Sequence, residues 1–220
     1  EQLNAAINSY EKAIVINPDY VEAHYSLGLT FQDLGKLEAT VKSYEKVVAI
    51  KPDFAGMHNN LGNVYQELGE LDAAVKSYER AIAIQPDFFE ALYSLGVIYQ
   101  EQNLLVDALK IYEKVIFIKP SFAEVHNNLG TIFSELKQLE NAEETFRQAI
   151  LLNPNYAGAH YNLGNTLKDL RKIDEAEESF RKAIVINPNY AEAHNNLGNI
   201  MKSHDRLEDA EASYRKAIAI

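Results

Sequence analysis

Residues 55–88 read AGMHNNLGNVYQELGELDAAVKSYERAIAIQPDF, and the rest of the 220-residue chain consists of variants of this stretch. All the prolines keep one 34-residue step, at Pro18, Pro52, Pro86, Pro120, Pro154 and Pro188. A set of glycines keeps the same step, at Gly28, Gly62, Gly96, Gly130, Gly164 and Gly198. A fixed period of this length indicates one supersecondary unit stacked on copies of itself. The functional question is therefore which face of the stack binds a partner.

Each repeat contains two sets of apolar residues with helical spacing. With Ala55 as position 1 and Phe88 as position 34, the first set falls at positions 3, 7, 10, 11 and 14. The second set falls at positions 17, 20, 21, 24, 27 and 28. Steps of three and four residues place each set on one face of a helix. The sequence predicts an all-α fold built from pairs of amphipathic helices.

Helix boundaries are indicated by proline and by capping residues. The position 32 prolines follow the second helix, which cannot continue through them. The next residue is a good N-cap in every repeat, namely Asp19, Asp53, Asp87, Ser121, Asn155 and Asn189. Four repeats add a glutamate three residues later, which predicts a capping box.

Glycines indicate where helices turn and where they approach closely. Position 15, between the two helices, holds Gly35, Gly69 and Asn103, which tolerate the left-handed conformation that ends a helix. Its later equivalents are Lys137, Arg171 and Asp205, which predict less ideal turns. Glycine at position 8 lies within a helix, at a cost of about 1 kcal/mol against alanine. We therefore expect a close helix–helix contact there.

The repeat resembles the tetratricopeptide repeat family over the whole chain. The matching residues of the quoted unit are Leu61, Gly62, Tyr65, Ala74, Tyr78, Ala81 and Pro86. The aromatic residue that often opens the first helix in that family is replaced by His or Leu. The resemblance implies a right-handed superhelical solenoid of antiparallel helix pairs, with the first helix of each pair lining the concave face.

The period divides the chain into one partial repeat and six further repeats. We expect a C-terminal half-repeat over 1–20, then repeats over 21–54, 55–88, 89–122, 123–156 and 157–190, and an incomplete repeat over 191–220. Neither end carries a polar capping helix, as solenoid ends usually do. This favours a piece of a longer array. Self-association through the open ends is the alternative.

Composition excludes several classes of partner. The net charge of −11 disfavours nucleic acid, because an acidic chain repels phosphate. The apolar runs are only a few residues long, so no membrane span is expected. The absence of cysteine rules out disulfides and thiolate metal sites, and it fits a cytoplasmic or other reducing compartment.

The two helices differ in the side chains on their polar faces. On the second helix, positions 22, 25 and 26 hold 16 charged residues out of 18, as in a solvated face. On the first helix, positions 5, 6 and 9 hold none, and we call these positions the amide stripe. Its candidate binding residues are Asn59, Asn60, Asn63, Asn127, Asn128, Asn162, Asn165, Asn195, Asn196, Asn199, Tyr25, Tyr93 and Tyr161.

Asparagine costs a helix up to roughly 0.7 kcal/mol against alanine, so ten on one stripe favour a function. Each amide offers a donor and an acceptor, and a row of amides could hold the backbone of an extended peptide. The alternative is that neighbouring asparagines bond to each other and to water. The tyrosines, which recur at every second repeat, either form aromatic platforms for the ligand or pack against the next helix.

The charges around the stripe favour a neutral or basic ligand. Position 13 is acidic in Asp33, Glu67, Glu101, Glu135 and Asp169. Positions 2, 5 and 6 carry no Lys or Arg, which disfavours the carboxylate clamp of the chaperone-binding family members. The position 6 asparagines resemble the ladder of the O-linked N-acetylglucosamine transferase repeats. This resemblance implies an alternative function as the substrate-recruiting array of a larger, glycosyltransferase-like enzyme.

Catalytic and metal-binding patterns are lacking in the sequence. Five histidines recur at position 4, but one helical hairpin separates each from the next. That separation is too long for sharing an ion whose bonds to His measure about 2.0–2.1 Å. No phosphate loop, zinc-protease motif or nucleophile elbow is present. We expect no catalysis, metal or cofactor in this stretch, and a scaffold that binds protein or peptide.

Overall fold

The computed structural model describes residues 2–220, and within this range the regular structure is entirely helical. Glu1 lies outside the described residues. The thirteen helices of residues 2–220 are α1 (Gln2–Ile16), α2 (Val21–Asp33), α3 (Leu37–Ile50), α4 (Ala55–Glu67), α5 (Leu71–Ile84), α6 (Phe89–Glu101), α7 (Leu105–Ile118), α8 (Ala123–Glu135), α9 (Leu139–Leu152), α10 (Ala157–Asp169), α11 (Ile173–Ile186), α12 (Ala191–Ser203) and α13 (Leu207–Ala219).

The helices pack in chain order. Even-numbered helices from α2 to α12 are the first helices of the repeats, and the odd-numbered ones are the second helices. Five of the first helices, namely α2, α4, α8, α10 and α12, pack on the second helix of their own repeat. Within the two compact units of the chain, the second helices α1, α3, α5, α9 and α11 also pack on the next first helix. The predicted all-α solenoid fold of helix pairs is confirmed.

Two compact units divide the chain, Glu1–Lys114 and Val115–Ile220. We call them unit 1 and unit 2. In each unit the core lies between the two helices of a repeat and the first helix of the next. Unit 1 buries the rings of Tyr44 and Tyr78, and unit 2 buries those of Phe146 and Phe180. These aromatic residues all occupy position 24.

The position 8 glycines make room for these rings. A Cβ added to Gly62 would lie 2.7 Å from a ring carbon of Tyr78, and one added to Gly164 would lie 2.7 Å from a ring carbon of Phe180. Real Cβ atoms do not approach a neighbour so closely. The prediction of a close helix–helix contact at these glycines is therefore confirmed.

The turn inside each repeat keeps one backbone conformation throughout the chain. The six residues at position 15 have positive φ angles, which are 67° for Gly35, 75° for Gly69, 59° for Asn103, 62° for Lys137, 63° for Arg171 and 59° for Asp205. The later repeats thus keep the turn geometry with residues that tolerate it poorly. A left-handed conformation costs roughly 1–2 kcal/mol for a residue with a Cβ.

The predicted N-caps are wrong. The first helices begin two residues after Asp19, Asp53, Asp87, Ser121, Asn155 and Asn189. The N-cap of each first helix is instead the intervening aromatic residue, which is Tyr20, Phe54, Phe88, Phe122, Tyr156 or Tyr190. None of these six residues makes a side-chain hydrogen bond that caps its helix. The predicted capping-box glutamates, such as Glu22, lie in the first turn, where a negative charge interacts favourably with the helix dipole.

The position 4 histidines tie five of the six first helices to the preceding turn. Nε2 of His24 donates to the carbonyl oxygen of Pro18 at 2.8 Å, and that of His160 donates to Pro154 at 3.0 Å. The same bond joins His58 to Pro52, His126 to Pro120 and His194 to Pro188. Repeat packing thus accounts for this histidine row. Within residues 2–220, no helix is both long and apolar enough to span a membrane.

Candidate functional site

The structure places the thirteen residues of the amide stripe on the first helices α2, α4, α6, α8, α10 and α12. Asn59 and Asn127 are buried, whereas Asn195 and Asn199 are exposed. The other nine residues are half-buried. The stripe therefore lies partly covered by neighbouring helices, with its most accessible amides on α12.

Side-chain amides bond across successive repeats in unit 2. Asn162 Nδ2 donates to Asn127 Oδ1 at 3.0 Å, and Asn196 Nδ2 donates to Asn165 Oδ1 at 2.9 Å. Asn196 Nδ2 also lies 3.5 Å from the hydroxyl oxygen of Tyr161. The alternative of asparagines bonding to each other thus describes part of the stripe. These bonds hold the amides in fixed orientations.

The residue at position 24 decides what the position 9 asparagine bonds. The hydroxyl of Tyr78 donates to Asn63 Oδ1 at 2.7 Å, and that of Tyr214 donates to Asn199 Oδ1 at 2.8 Å. In the repeat of Asn165, position 24 is phenylalanine, which has no hydroxyl. Asn165 therefore accepts from the next repeat instead.

Asn59 differs from the paired asparagines in its hydrogen bonding. Its Oδ1 is buried and has no hydrogen-bond partner among residues 2–220. The bond from Asn162 to Asn127 spans 35 residues, and the residue 35 positions after Asn59 is Ser94. A serine side chain is shorter than an asparagine side chain, and the Ser94 hydroxyl does not bond to Asn59 Oδ1.

The stripe tyrosines pack against neighbouring aromatic rings. Tyr25 lies 6.1 Å from Tyr44 between ring centroids, and Tyr161 lies 5.9 Å from Phe180 and 4.8 Å from Tyr190. These separations are typical of favourable aromatic pairs. The pKa of Tyr190 is raised to about 12, mainly by burial and then by Tyr161 and Glu192. The packing interpretation of these tyrosines is thus supported, and their half-exposed edges stay accessible.

Three stripe residues meet in one cavity of unit 2, which we call the amide pocket. Its volume is about 530 Å³. Tyr161, Asn195 and Asn196 line it together with residues of α12 and α13: Ala191, Glu192, Tyr214, Ala217 and Ile218. Glu192 is its single charged lining group.

Sequence reasoning missed Glu192 and Tyr214 as pocket residues. The periodicity assigns position 24 to the core, which is true of Tyr78 but not of the half-buried Tyr214. The sequence pattern assigns glutamate at position 2, which includes Glu192, to helix capping. Glu192 and Tyr214 line one pocket because α12 packs on α13, and the sequence pattern does not specify that packing. Among residues 2–220, no three His, Cys, Asp or Glu side chains form a group that could hold a metal ion.

Family models match most of the chain. One described as "TPR repeat" matches residues 1–35, 30–69 and 65–103. A second model, described as "Tetratricopeptide repeat", matches residues 123–156 and 157–190. A third model with the same description matches residues 179–212. No curated protein sequence matches the chain.

Solved structures share the fold. A tetratricopeptide repeat protein from Parabacteroides merdae ATCC 43184 is 20% identical, with a TM-score of 0.78 over 90% of this chain and 79% of that one. YrrB, described as "a TPR protein with an unusual peptide-binding site", is 22% identical, with a TM-score of 0.72 over 84% of this chain and 95% of that one.

A structure of MamA is similar at 26% identity, with a TM-score of 0.68 over 72% of this chain and 93% of that one. None of these three is a glycosyltransferase by its description, so the resemblance to the transferase repeats stays a prediction. The repeated helix pairs, the glycine–aromatic contacts and the family matches agree with one another. The chain belongs to the tetratricopeptide repeat family.

Proposed function

We propose that this chain is a protein-interaction scaffold that holds an extended peptide along the amide stripe, with the amide pocket receiving one of the peptide's side chains. The observation that carries the proposal is the convergence of Tyr161, Asn195 and Asn196 on a single cavity. Repeat proteins of this family bind proteins or peptides, and the YrrB description names a peptide-binding site.

The hydrogen bonds of the stripe support backbone recognition. An amide that uses one donor or acceptor within the stripe keeps others for a ligand, because each side chain has two N–H donors and two acceptor lone pairs. Asn196 donates through Nδ2 to Asn165, while its Oδ1 makes no bond with residues 2–220. Fixed amides lose little conformational freedom on binding, which favours affinity.

The pocket's charge supports a neutral or basic ligand. Glu192 lines it without a lysine or arginine beside it. Tyr161 and Tyr214 offer aromatic surface near this carboxylate, a combination that attracts a lysine or arginine side chain. The exposed acids Asp169 and Glu135 at the end of the first helices add to the negative field.

The experiment begins with peptides selected on the purified chain from a displayed random library. One selected peptide is titrated into the chain and into two double variants by isothermal calorimetry. N195A/N196A removes two amides of the pocket. K110A/E113A, on the exposed face of α7, is the matched control. We expect weaker binding only for N195A/N196A, with both variants equally helical by circular dichroism.

A further inference from the structure

Grooves recur between successive second helices, away from the amide stripe. In unit 2, one groove of about 340 Å³ lies between α9 and α11, and one of about 320 Å³ lies between α11 and α13. In unit 1, a groove of about 520 Å³ lies between α1 and α3. The first helix of the intervening repeat forms each floor. The α9–α11 groove has a further repeat on each side in the sequence, so a groove of this kind does not require the first or last helix. The grooves therefore arise from the way successive repeats pack.

The grooves have apolar floors. His194, Leu197 and Met201 form the floor between α11 and α13, and His24, Leu27 and Phe31 form that between α1 and α3. The histidines bond through Nε2 to a proline carbonyl oxygen, which leaves carbon atoms and the second ring nitrogen toward the groove. Such a floor suits an apolar side chain of a ligand.

A large exposed apolar residue stands at the edge of each groove. The exposed fraction is 82% for Val15, 72% for Leu151 and 80% for Val185, and all three occupy position 29. Phe117, at position 29 of the repeat before Leu151, is 89% exposed. A single exposed apolar residue is ordinary. Four at one repeat position, three of them lining grooves, are more than this ordinary exposure and favour partner binding at the grooves.

Two of these grooves carry excess positive charge on a chain whose net charge is −11. Lys42 and Lys46 line the α1–α3 groove against one acid, Glu11. The two lysines are one helical turn apart, and neither forms an ion pair within residues 2–220. Like charges at this spacing destabilise a helix, and an anionic partner would remove this repulsion.

The α11–α13 groove is also lined by more cationic than acidic residues. Arg181, Arg206 and Lys216 line it against one acid, Asp209. Arg181 and Arg206 both donate to Glu177, and Arg206 also donates to Asp209. Lys216 makes no ion pair with residues 2–220. By contrast, the α9–α11 groove is lined by two cations and two acids and is neutral.

We propose that the α1–α3 groove of unit 1 and the α11–α13 groove of unit 2 are two further interaction sites of the same kind, each of which binds an acidic segment of a partner protein through an apolar side chain flanked by carboxylates. The apolar side chain enters the groove beside Val15 or Val185. The flanking carboxylates lie against Lys42 and Lys46, or against Lys216. Both sites are independent of the amide stripe, whose charge favours the opposite kind of ligand.

The test uses two fluorescein-labelled peptides of helical leucine spacing, one with glutamate and one with lysine at the remaining positions. Fluorescence anisotropy at low salt measures binding to the chain, to V15D/V185D and to A49D/A83D. Ala49 and Ala83 also occupy position 29, are exposed and lack the large side chain, so A49D/A83D is the matched control.

We expect the glutamate peptide to bind about tenfold more tightly than the lysine peptide, although the acidic chain would attract lysine non-specifically. V15D/V185D should weaken binding of the glutamate peptide about tenfold, and A49D/A83D should leave it unchanged. N195A/N196A should also leave it unchanged, which separates these sites from the amide stripe. Failure of the glutamate peptide to bind, an equal preference for lysine, or an unaffected V15D/V185D would each overturn the proposal.

Discussion

At the scale of single residues, the contact between position 5 of one repeat and position 6 of the next explains the alternation of the stripe. Asn127 meets Asn162, and Tyr161 meets Asn196. The sequence predicts which residues occupy the stripe, and it shows that the tyrosines recur every 68 residues. It does not predict the cross-repeat bonds, because these depend on the offset between neighbouring helices.

Replacing Ser94 with asparagine should supply the missing partner of Asn59. The introduced side chain would stand where Asn162 stands relative to Asn127, and its Nδ2 would donate to the buried Oδ1 of Asn59. An unsatisfied buried acceptor costs about 1–3 kcal/mol, so we expect S94N to raise the free energy of unfolding by about 1 kcal/mol. Urea denaturation measures this change.

Ser26→Asn provides the control for S94N. Ser26 occupies the same position, but residues 1–220 include no asparagine 35 positions before it that could pair with it. We expect S26N to leave the free energy of unfolding nearly unchanged. Equal effects of S26N and S94N would contradict the cross-repeat pairing.

His160 should make stability depend on pH. Burial lowers its pKa below the usual 6.5, nearby Lys182 lowers it further, and the bond to Pro154 opposes them. As pH falls below about 6.5, the unfolded chain therefore binds the proton before the folded chain does. The free energy of unfolding should decline from that pH down to the lowered folded-state pKa, and it should be at its full value above this window.

The comparison variant is H160L, because position 4 of another repeat is naturally Leu92. Urea denaturation at a series of pH values should show a shallower decline below pH 6.5 for H160L than for the parent chain. Identical pH profiles would show that His160 does not contribute.

At the scale of helices, periodicity predicts the pairs and the glycine–aromatic contact, but not the helix starts. Tyr190 takes the N-cap place, and its ring packs 4.8 Å from Tyr161. Tertiary packing of this aromatic residue thus decides the boundary, and local capping preference does not. The turn at position 15 shows the same effect, since Arg171 keeps a φ of 63° that its own preference disfavours.

Arg171→Gly should therefore stabilise the chain. Glycine adopts this φ without the penalty of about 1 kcal/mol or more that a Cβ imposes, although it adds entropy to the unfolded state. We expect a rise in the free energy of unfolding of about 0.5–1 kcal/mol, measured by urea denaturation. The reverse change, G35R, should lower it by a similar amount. A loss of stability in R171G would show that Arg171 makes a contact worth more than the strain.

At the scale of the whole chain, the uncharged stripe and the charged face are both predictable, because they follow from counting one position across repeats. The amide pocket and the grooves cannot be predicted from the sequence in this way. Position 29 reads as one more apolar residue of the second helix, and only packing shows that Val185 is exposed while Ile184 is half-buried. The chain thus presents two surfaces of different chemistry, one amide-rich with acidic neighbours and one apolar with cationic edges.

If the amide stripe holds a peptide, the affinity of a selected peptide should depend on Asn195 and Asn196, and a titration of N195A/N196A measures this dependence. We predict binding about tenfold weaker than to the parent chain, as expected when contacts at the centre of an interface are removed. The outer-face variant K110A/E113A should bind as the parent does. Equal affinity of the parent and N195A/N196A, with both folded, would contradict the account.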